Sequence, residues 1–275
     1  MKQSFYEAVE RALELPKMEK LEAVEAIFEG LKNGVFHFEY EVSAKVFDTP
    51  AYAPFCTVVS PFEVQKRTNL SSDEGKAVFL HAIAHIEYSA IDLALDAAYR
   101  FRGLPAEFYY DWIEVADDEV RHFRMLEGLL GKVGHAYGDF PVHNSLFEAS
   151  CKSLTLISRM AAVPRYLEAG GLDANPKMMQ RLERVGDDLS KEIVAALGII
   201  LKEEIDHVKK GDHWFKYACQ QEGKDESVYF ELIEAVLPGS SKEKAFLNAP
   251  ARMEAGFSCS ELKRLSQDKE ICRGA

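Results

Sequence analysis

Four carboxylates and two imidazoles in this chain have the types and the spacing to hold metal ions. The first set is Glu87, followed about one helical hairpin later by Glu119 and His122 in Asp118-Glu119-Val120-Arg121-His122. The second is Glu168, followed by Glu204 and His207 in Glu203-Glu204-Ile205-Asp206-His207. In a helix, the Glu-x-x-His spacing puts both side chains on one face. A lone Glu and a Glu-x-x-His, each supplied twice, is the ligand set of a dinuclear metal site inside a four-helix bundle. Such donors accept iron, manganese or zinc without choosing between them. The motif by itself is weak. With 8 His and 30 Glu in 275 residues, roughly one Glu-x-x-His arises by chance.

Position carries more weight than the motif. Ile193, Leu197, Ile200, Leu201, Glu204 and Val208 follow a helical apolar stripe, with His207 beside Glu204. Trp112, Val115, Glu119, His122, Phe123 and Leu126 form a second stripe, and Phe147, Leu154, Ile157, Ala161, Pro164 and Glu168 a third. Glu87 falls among Ile83, Ile86, Ala90, Ile91 and Ala94. A carboxylate on an apolar stripe is costly unless paired or metal-bound. Four at matched depth repel one another, and two divalent cations offset that charge. The spacing matches too, at 32 residues from Glu87 to Glu119 and 36 from Glu168 to Glu204. The competing reading leaves these groups partly exposed, or paired with Arg121, Arg165 or Lys202.

The elements that must position them are long helices. Ser71 and Glu74 have capping-box spacing and open a helix that runs to about Phe101. A second covers about 106–131 and a third about 145–169, closed by Gly170-Gly171. Asn175-Pro176 starts a short extra helix to about Val185, and a fourth long helix covers about 188–221. Before them, two short helices at 4–14 and 18–33 are divided by Pro16 and stopped by Gly34. Val35 to Val42 alternates like a strand. Residues 48–62, with Pro50, Pro54 and Pro61, are an extended connection. In the tail, a helix at 226–236 is followed by a loop with Pro238 and Pro250, then a short helix from about Ser260.

Composition fits a helix-rich protein, at 47% hydrophobic and 28% charged residues with 10 Pro and 17 Gly. No run of 18 apolar residues predicts a membrane span. The N-terminus lacks an apolar signal core, so a cytoplasmic location is expected. Five widely spaced Cys without a Cys-x-x-Cys read as reduced thiols. The net charge of −12 argues against nucleic acid as a partner.

The segment from His81 to Phe215 resembles the ferritin-like di-iron carboxylate superfamily. Asp118-Glu119-Val120-Arg121-His122 is similar to its Asp-Glu-x-Arg-His signature, and Glu87-Tyr88-Ser89-Ala90 to its Glu-x-x-Ala. More closely, the chain resembles an uncharacterised bacterial branch, the domain-of-unknown-function family numbered 455. His81-Ala82-Ile83-Ala84-His85-Ile86-Glu87, Tyr137-Gly138-Asp139, Leu167-Glu168-Ala169-Gly170-Gly171-Leu172-Asp173 and Trp214-Phe215 carry that likeness, which extends weakly to Arg252 to Phe257. The superfamily resemblance implies Glu87, Glu119, His122, Glu168, Glu204 and His207 as metal ligands, with Glu119 and Glu204 bridging. It implies Asp118 as an outer residue that orients a ligand His. The matching position in the second half is Glu203, a departure from the pattern.

His81 and His85 lie roughly 120–160° around the helix from Glu87, so they do not serve the same centre. They read as packing or hydrogen bonding against the N-terminal arm, or else as a second metal site or proton relay. Tyr88, Tyr110 and Tyr166 read as core packing before any radical or proton-donor role. Arg121 and Arg165 read as partners of carboxylates.

The expected fold is all-α. A ferritin-like antiparallel four-helix bundle spans 71–221, with an N-terminal helical and extended segment, 1–70, and a C-terminal extension, 222–275. The expected function is a metal-dependent oxidoreductase with two divalent metal ions, iron preferred and manganese or zinc as alternatives. It would activate O2 or peroxide and act on a small-molecule substrate, as a hydroxylase by preference. The alternatives are metal storage, oxidation or sensing, and a metal site that serves stability alone. A monomer or small homo-oligomer is expected.

Overall fold

The computed structural model describes residues 3–39 and 43–273. Its regular structure is helical apart from one parallel pair of two-residue strands, β1 (Gln3–Ser4) and β2 (Phe36–His37). The protein is all-α at that level, as expected. The chain divides into two compact units, Met1–Phe147 and Glu148–Ala275.

The first unit is built on α1 (Phe5–Glu14), α2 (Lys17–Lys32), α3 (Asp73–Arg100) and α4 (Ala106–Lys132). Ser72, one residue later than expected, caps α3 by accepting from the Gly75 backbone at 3.1 Å. Gly75 is required there, because a Cβ would sit 1.8 Å from the Asn69 carbonyl oxygen. By length and composition α3 could cross a membrane, but 83% of its apolar stretch is buried inside the protein. Gly103, at φ +73°, marks the turn into α4. The alternating stretch pairs only at Phe36–His37, with Gln3 opposite Phe36 and Ser4 opposite His37. Its end, Tyr40 to Val42, lies outside the described residues. Phe5 packs against Phe36, Phe38 and Tyr109, which ties the strand pair to α4.

The second unit departs from the single helix expected at 145–169. Helix α5 (Ser145–Lys152) ends where the Ser153 hydroxyl turns back to the Ala149 carbonyl, at 2.8 Å. Thr155 then starts α6 (Leu156–Ala162) in a capping box with Ser158. Val163–Glu168 is a π-helical turn with Pro164 in its second position, and α7 (Ala169–Val185) follows without a break. Gly170-Gly171 does not close a helix, because neither residue takes the positive φ of a helix stop. Asn175-Pro176 does not open one either; Pro176 lies inside α7. Proline leaves the Leu172 carbonyl without its helical donor. The Asn248 side-chain amide donates to that carbonyl at 3.1 Å instead.

Gly186, at φ +72°, ends α7, and Asp187 caps α8 (Asp188–Glu222) by accepting from the Ser190 backbone at 2.8 Å. The tail holds α9 (Tyr229–Val236), α10 (Ala249–Glu254) and α11 (Cys259–Leu265). The loop expected around Pro250 is α10, because proline is tolerated in a helix's first turn and Asn248 caps it. The reduced-thiol reading is corrected at two positions. Cys259 and Cys272 form a disulfide, with Cα atoms 6.0 Å apart, because the chain after α11 folds back on that helix's first residue. Cys56, Cys151 and Cys219 are free.

Candidate metal centre

Gly103 lies midway along the chain between Glu87 on α3 and Glu119 on α4. Equal arms of an antiparallel hairpin bring two side chains to one level, since each helical residue rises by about 1.5 Å. His122 follows Glu119 on the same face of α4. Glu119 and His122 are fully buried, and Glu87 is 5% exposed. His122 Nδ1 lies 3.2 Å from Glu119 Oε2 and 3.4 Å from Glu87 Oε2.

These separations are compatible with two arrangements. A charge-assisted bond between imidazolium and carboxylate closes to about 2.7–2.9 Å. Ligand atoms about 2.1 Å from a shared ion, at angles between octahedral and tetrahedral, lie roughly 3.0–3.4 Å from each other. The 3.2 Å contact is a hydrogen bond at the long end of its range, and both contacts fit the second range as well. One ligand atom from each of the three residues lies within 4.8 Å of the others. This buried Glu/His cluster could hold a metal ion.

The electrostatics agree. Burial raises the Glu87 carboxyl above its ordinary range, and the neighbouring Glu119 charge raises it further. Burial opposes protonation of His122, but the Glu119 and Glu87 carboxylates outweigh it and raise the imidazole. The cluster therefore attracts positive charge, which protons or a divalent cation can supply.

In the second unit, Gly186 lies midway along the chain between Glu168 and Glu204. Glu204 and His207 are buried on α8, with His207 Nδ1 3.6 Å from Glu204 Oε1. Glu168 is the last residue of the π turn. It is half-buried, with its Oε2 shielded from solvent. Among the described residues, Glu168, Glu204 and His207 do not close into a mutually near triad as Glu87, Glu119 and His122 do.

Asp118 pairs with Arg121, one turn along its own helix, and is 22% exposed. Glu203 is half-buried. Arg165 pairs with Asp212 at 2.9 Å and with Glu261 at 2.8 Å. Tyr88 is fully buried in the first unit, Tyr110 is exposed and Tyr166 half-buried.

His81 and His85 are held mainly by the loop after α4. His81 Nε2 accepts from the Gly138 backbone at 2.9 Å. His85 Nε2 lies 2.8 Å from the His143 carbonyl, which can only accept, so that nitrogen donates. The Tyr137 hydroxyl then donates to Nδ1, at 2.8 Å. Burial pushes both imidazoles down to about 4. The Tyr137-Gly138-Asp139 stretch is thus a lock for two neutral histidines. Periodicity and spacing do not pair that stretch with the two histidines. Gly138, at φ +113° and packed on the Phe55 carbonyl, is the local signal. A fully buried Lys20 paired with Asp92 was also missed. It lies on an otherwise amphipathic helix, where a lysine reads as solvated.

Residues 15–263 match the family described as Protein of unknown function (DUF455). An uncharacterized protein of Haemophilus influenzae (strain ATCC 51907 / DSM 11121 / KW20 / Rd) is 36% identical over 271 residues, covering 94% of this chain and 92% of that protein. No solved structure matches the chain.

Proposed function

The chain belongs to the DUF455 family, and from that premise we propose that it is a metal-dependent oxidoreductase with two divalent ions, iron preferred. Glu87, Glu119 and His122 hold one ion, and Glu168, Glu204 and His207 supply the second set. The observation that carries the reading is the burial of Glu87, Glu119 and His122 in one cluster, with a ligand atom of each within 4.8 Å of the others. The matched make-up of the two hairpins supports the dinuclear form. It also supports a ferritin-like arrangement of α3, α4, the stretch from α6 through α7, and α8.

When bound, such a pair of irons supplies the redox chemistry for activating O2 or a peroxide. The protein's own residues do the rest. Glu87, raised by burial and by the neighbouring Glu119 charge, gives up its proton on loading, so metal uptake releases a proton and strengthens as pH rises. The apolar neighbours Val115, Val120 and Phe123 on α4, all buried, keep bulk water from the ligands. A hydroxylase acting on a small molecule is the preferred subtype.

Metal analysis of the protein as purified, joined to O2 uptake by the anaerobically iron-loaded form, tests this reading. Two irons per chain and O2 consumption that disappears in Glu119→Ala are expected. Iron bound without O2 consumption refutes the oxidoreductase. Iron taken up and oxidised with no turnover of added reductant assigns metal handling instead.

A further inference from the structure

The irregular stretch 163–176 carries Glu168, and its backbone is satisfied from outside. Three of its carbonyls are hydrogen-bonded by side chains of the C-terminal extension. The Tyr229 hydroxyl donates to the Arg165 carbonyl at 3.1 Å. Arg252 Nη2 donates to the Ala169 carbonyl at 2.9 Å. Asn248 Nδ2 donates to the Leu172 carbonyl at 3.1 Å, the one Pro176 leaves without a donor. All three carbonyls lie within a π turn and the Pro-containing helix after it, and at Leu172 the regular donor is missing.

The side chains of the same stretch are held as well. The Arg165 guanidinium is fully buried, between Asp212 of α8 and Glu261 of α11. The rings of Phe215, Tyr229 and Phe257 surround it at 4.7, 4.5 and 4.7 Å. Asp173 receives Arg252 through both its oxygens, at 2.9 and 2.7 Å. On the opposite flank Pro164 sits on Gly211, where a Cβ would come 2.3 Å from the proline Cβ. Gly211 is one turn beyond His207.

We propose that the C-terminal extension is a splint for this stretch, with Tyr229, Asn248 and Arg252 as positioning residues that aim Glu168 at the second metal ion. The inference rests on the metal reading above for its last clause. Its mechanical part stands on the hydrogen bonds. Without the splint, 163–176 relaxes toward a regular helix. A π turn holds one residue more than an α-helical turn, so that relaxation rotates Glu168 away from its present direction by roughly 100°.

The test is the double variant Tyr229→Phe/Asn248→Ser. Phenylalanine keeps the ring packing and loses only the hydroxyl. Serine still caps α10 but is too short to reach Leu172. Anaerobic titration with cobalt(II) is expected to show the first equivalent unchanged and the second weakened about 10–100-fold, the usual effect of losing an outer partner of a ligand. Hydrogen exchange of the metal-free double variant is expected to rise in 163–176 and to stay unchanged in α3 and α4. Gly211→Ala is expected to weaken the second equivalent in the same way, and adding Pro164→Gly to restore it. Two equivalents binding as in the unsubstituted protein overturn the positioning role. Unchanged exchange in 163–176 overturns the splint itself. Fewer than two ions in the unsubstituted protein strike the dinuclear reading, and exchange alone then decides the splint.

Discussion

In the first unit, Glu87 and Glu119 sit within two unbroken helices of 28 and 27 residues. In the second, Glu204 sits on a 35-residue helix, but Glu168 ends a six-residue π turn that follows two short helices. Both units place a lone Glu and a Glu-x-x-His at equal arms from a glycine turn. The first presents its candidate ligands from two regular helices. The second presents them from an irregular scaffold braced by the tail. One ligand pattern is therefore compatible with two backbones, and the irregular one needs support that the pattern does not encode.

The contrast can be broken or sharpened by experiment, from the largest effect down. Glu119→Ala removes a candidate ligand from the first unit's set. The affinity for the first ion should fall at least about 1,000-fold, or ~4 kcal/mol. Glu168→Ala should leave that ion in place and weaken only the second. Calorimetric titration of both variants separates these outcomes, and a uniform loss of both ions from Glu168→Ala would erase the distinction between the halves.

Acid should act first on the first unit. His81 and His85 are held neutral, with pKa values of about 4 against an ordinary 6.5. Between those values the unfolded chain binds protons that the folded chain does not, so stability falls as pH falls through that window. The loss approaches on the order of 3 kcal/mol for each histidine at its acid end. Hydrogen exchange at pH 4.5 should show α3 and the 137–143 loop opening before α8, and the reverse order would contradict the lock.

A smaller effect is expected from Glu87→Gln in chelator-treated protein. Folding raises this carboxyl, so its ionised form costs stability above the unfolded pKa, and the neutral amide removes that cost. Metal-free protein at pH 8 should gain roughly 1 kcal/mol, seen as a melting temperature about 2–4 °C higher. The gain should vanish when metal is added, because only the unsubstituted protein is then stabilised. The smallest change is Gly171→Ala. A Cβ there meets open space inside α7, so stability should rise by about 0.5–1 kcal/mol. A drop measured by urea unfolding would show that the glycine serves something other than the helix.

The same contrast governs what the sequence made legible. Helices α1 to α4 and α8 follow from apolar periodicity and strong punctuation at Pro16, Gly34, Gly103 and Gly186, with the α3 cap one residue past the expected Ser71. Glu87, Glu119 and His122 could be singled out because they interrupt apolar stripes, and the structure brings them together. The Gly103 and Gly186 midpoints were available as a further signal that the pairs lie level. The stretch from 153 to 185 was not legible. Thr155 and Ser158 cap by a hydroxyl pair that carries no acidic signature. Gly170-Gly171 and Asn175-Pro176 read locally as breaks, and the side chains that hydrogen-bond to the backbone there, Asn248 and Arg252, lie far along the chain. The disulfide was hidden for a similar reason. Nothing in an odd set of five Cys points to Cys259 and Cys272 until α11 folds the chain back.

A crystal structure of protein grown with iron(II) under anaerobic conditions, with anomalous scattering recorded at the iron edge, tests the central claim most directly. The account predicts an anomalous peak about 2.0–2.2 Å from His122 Nδ1 and from oxygens of Glu87 and Glu119, and a second peak whose ligands include Glu168. It is contradicted if those positions carry no anomalous density and His122 Nδ1 instead closes on Glu119 as a direct hydrogen bond of about 2.8 Å.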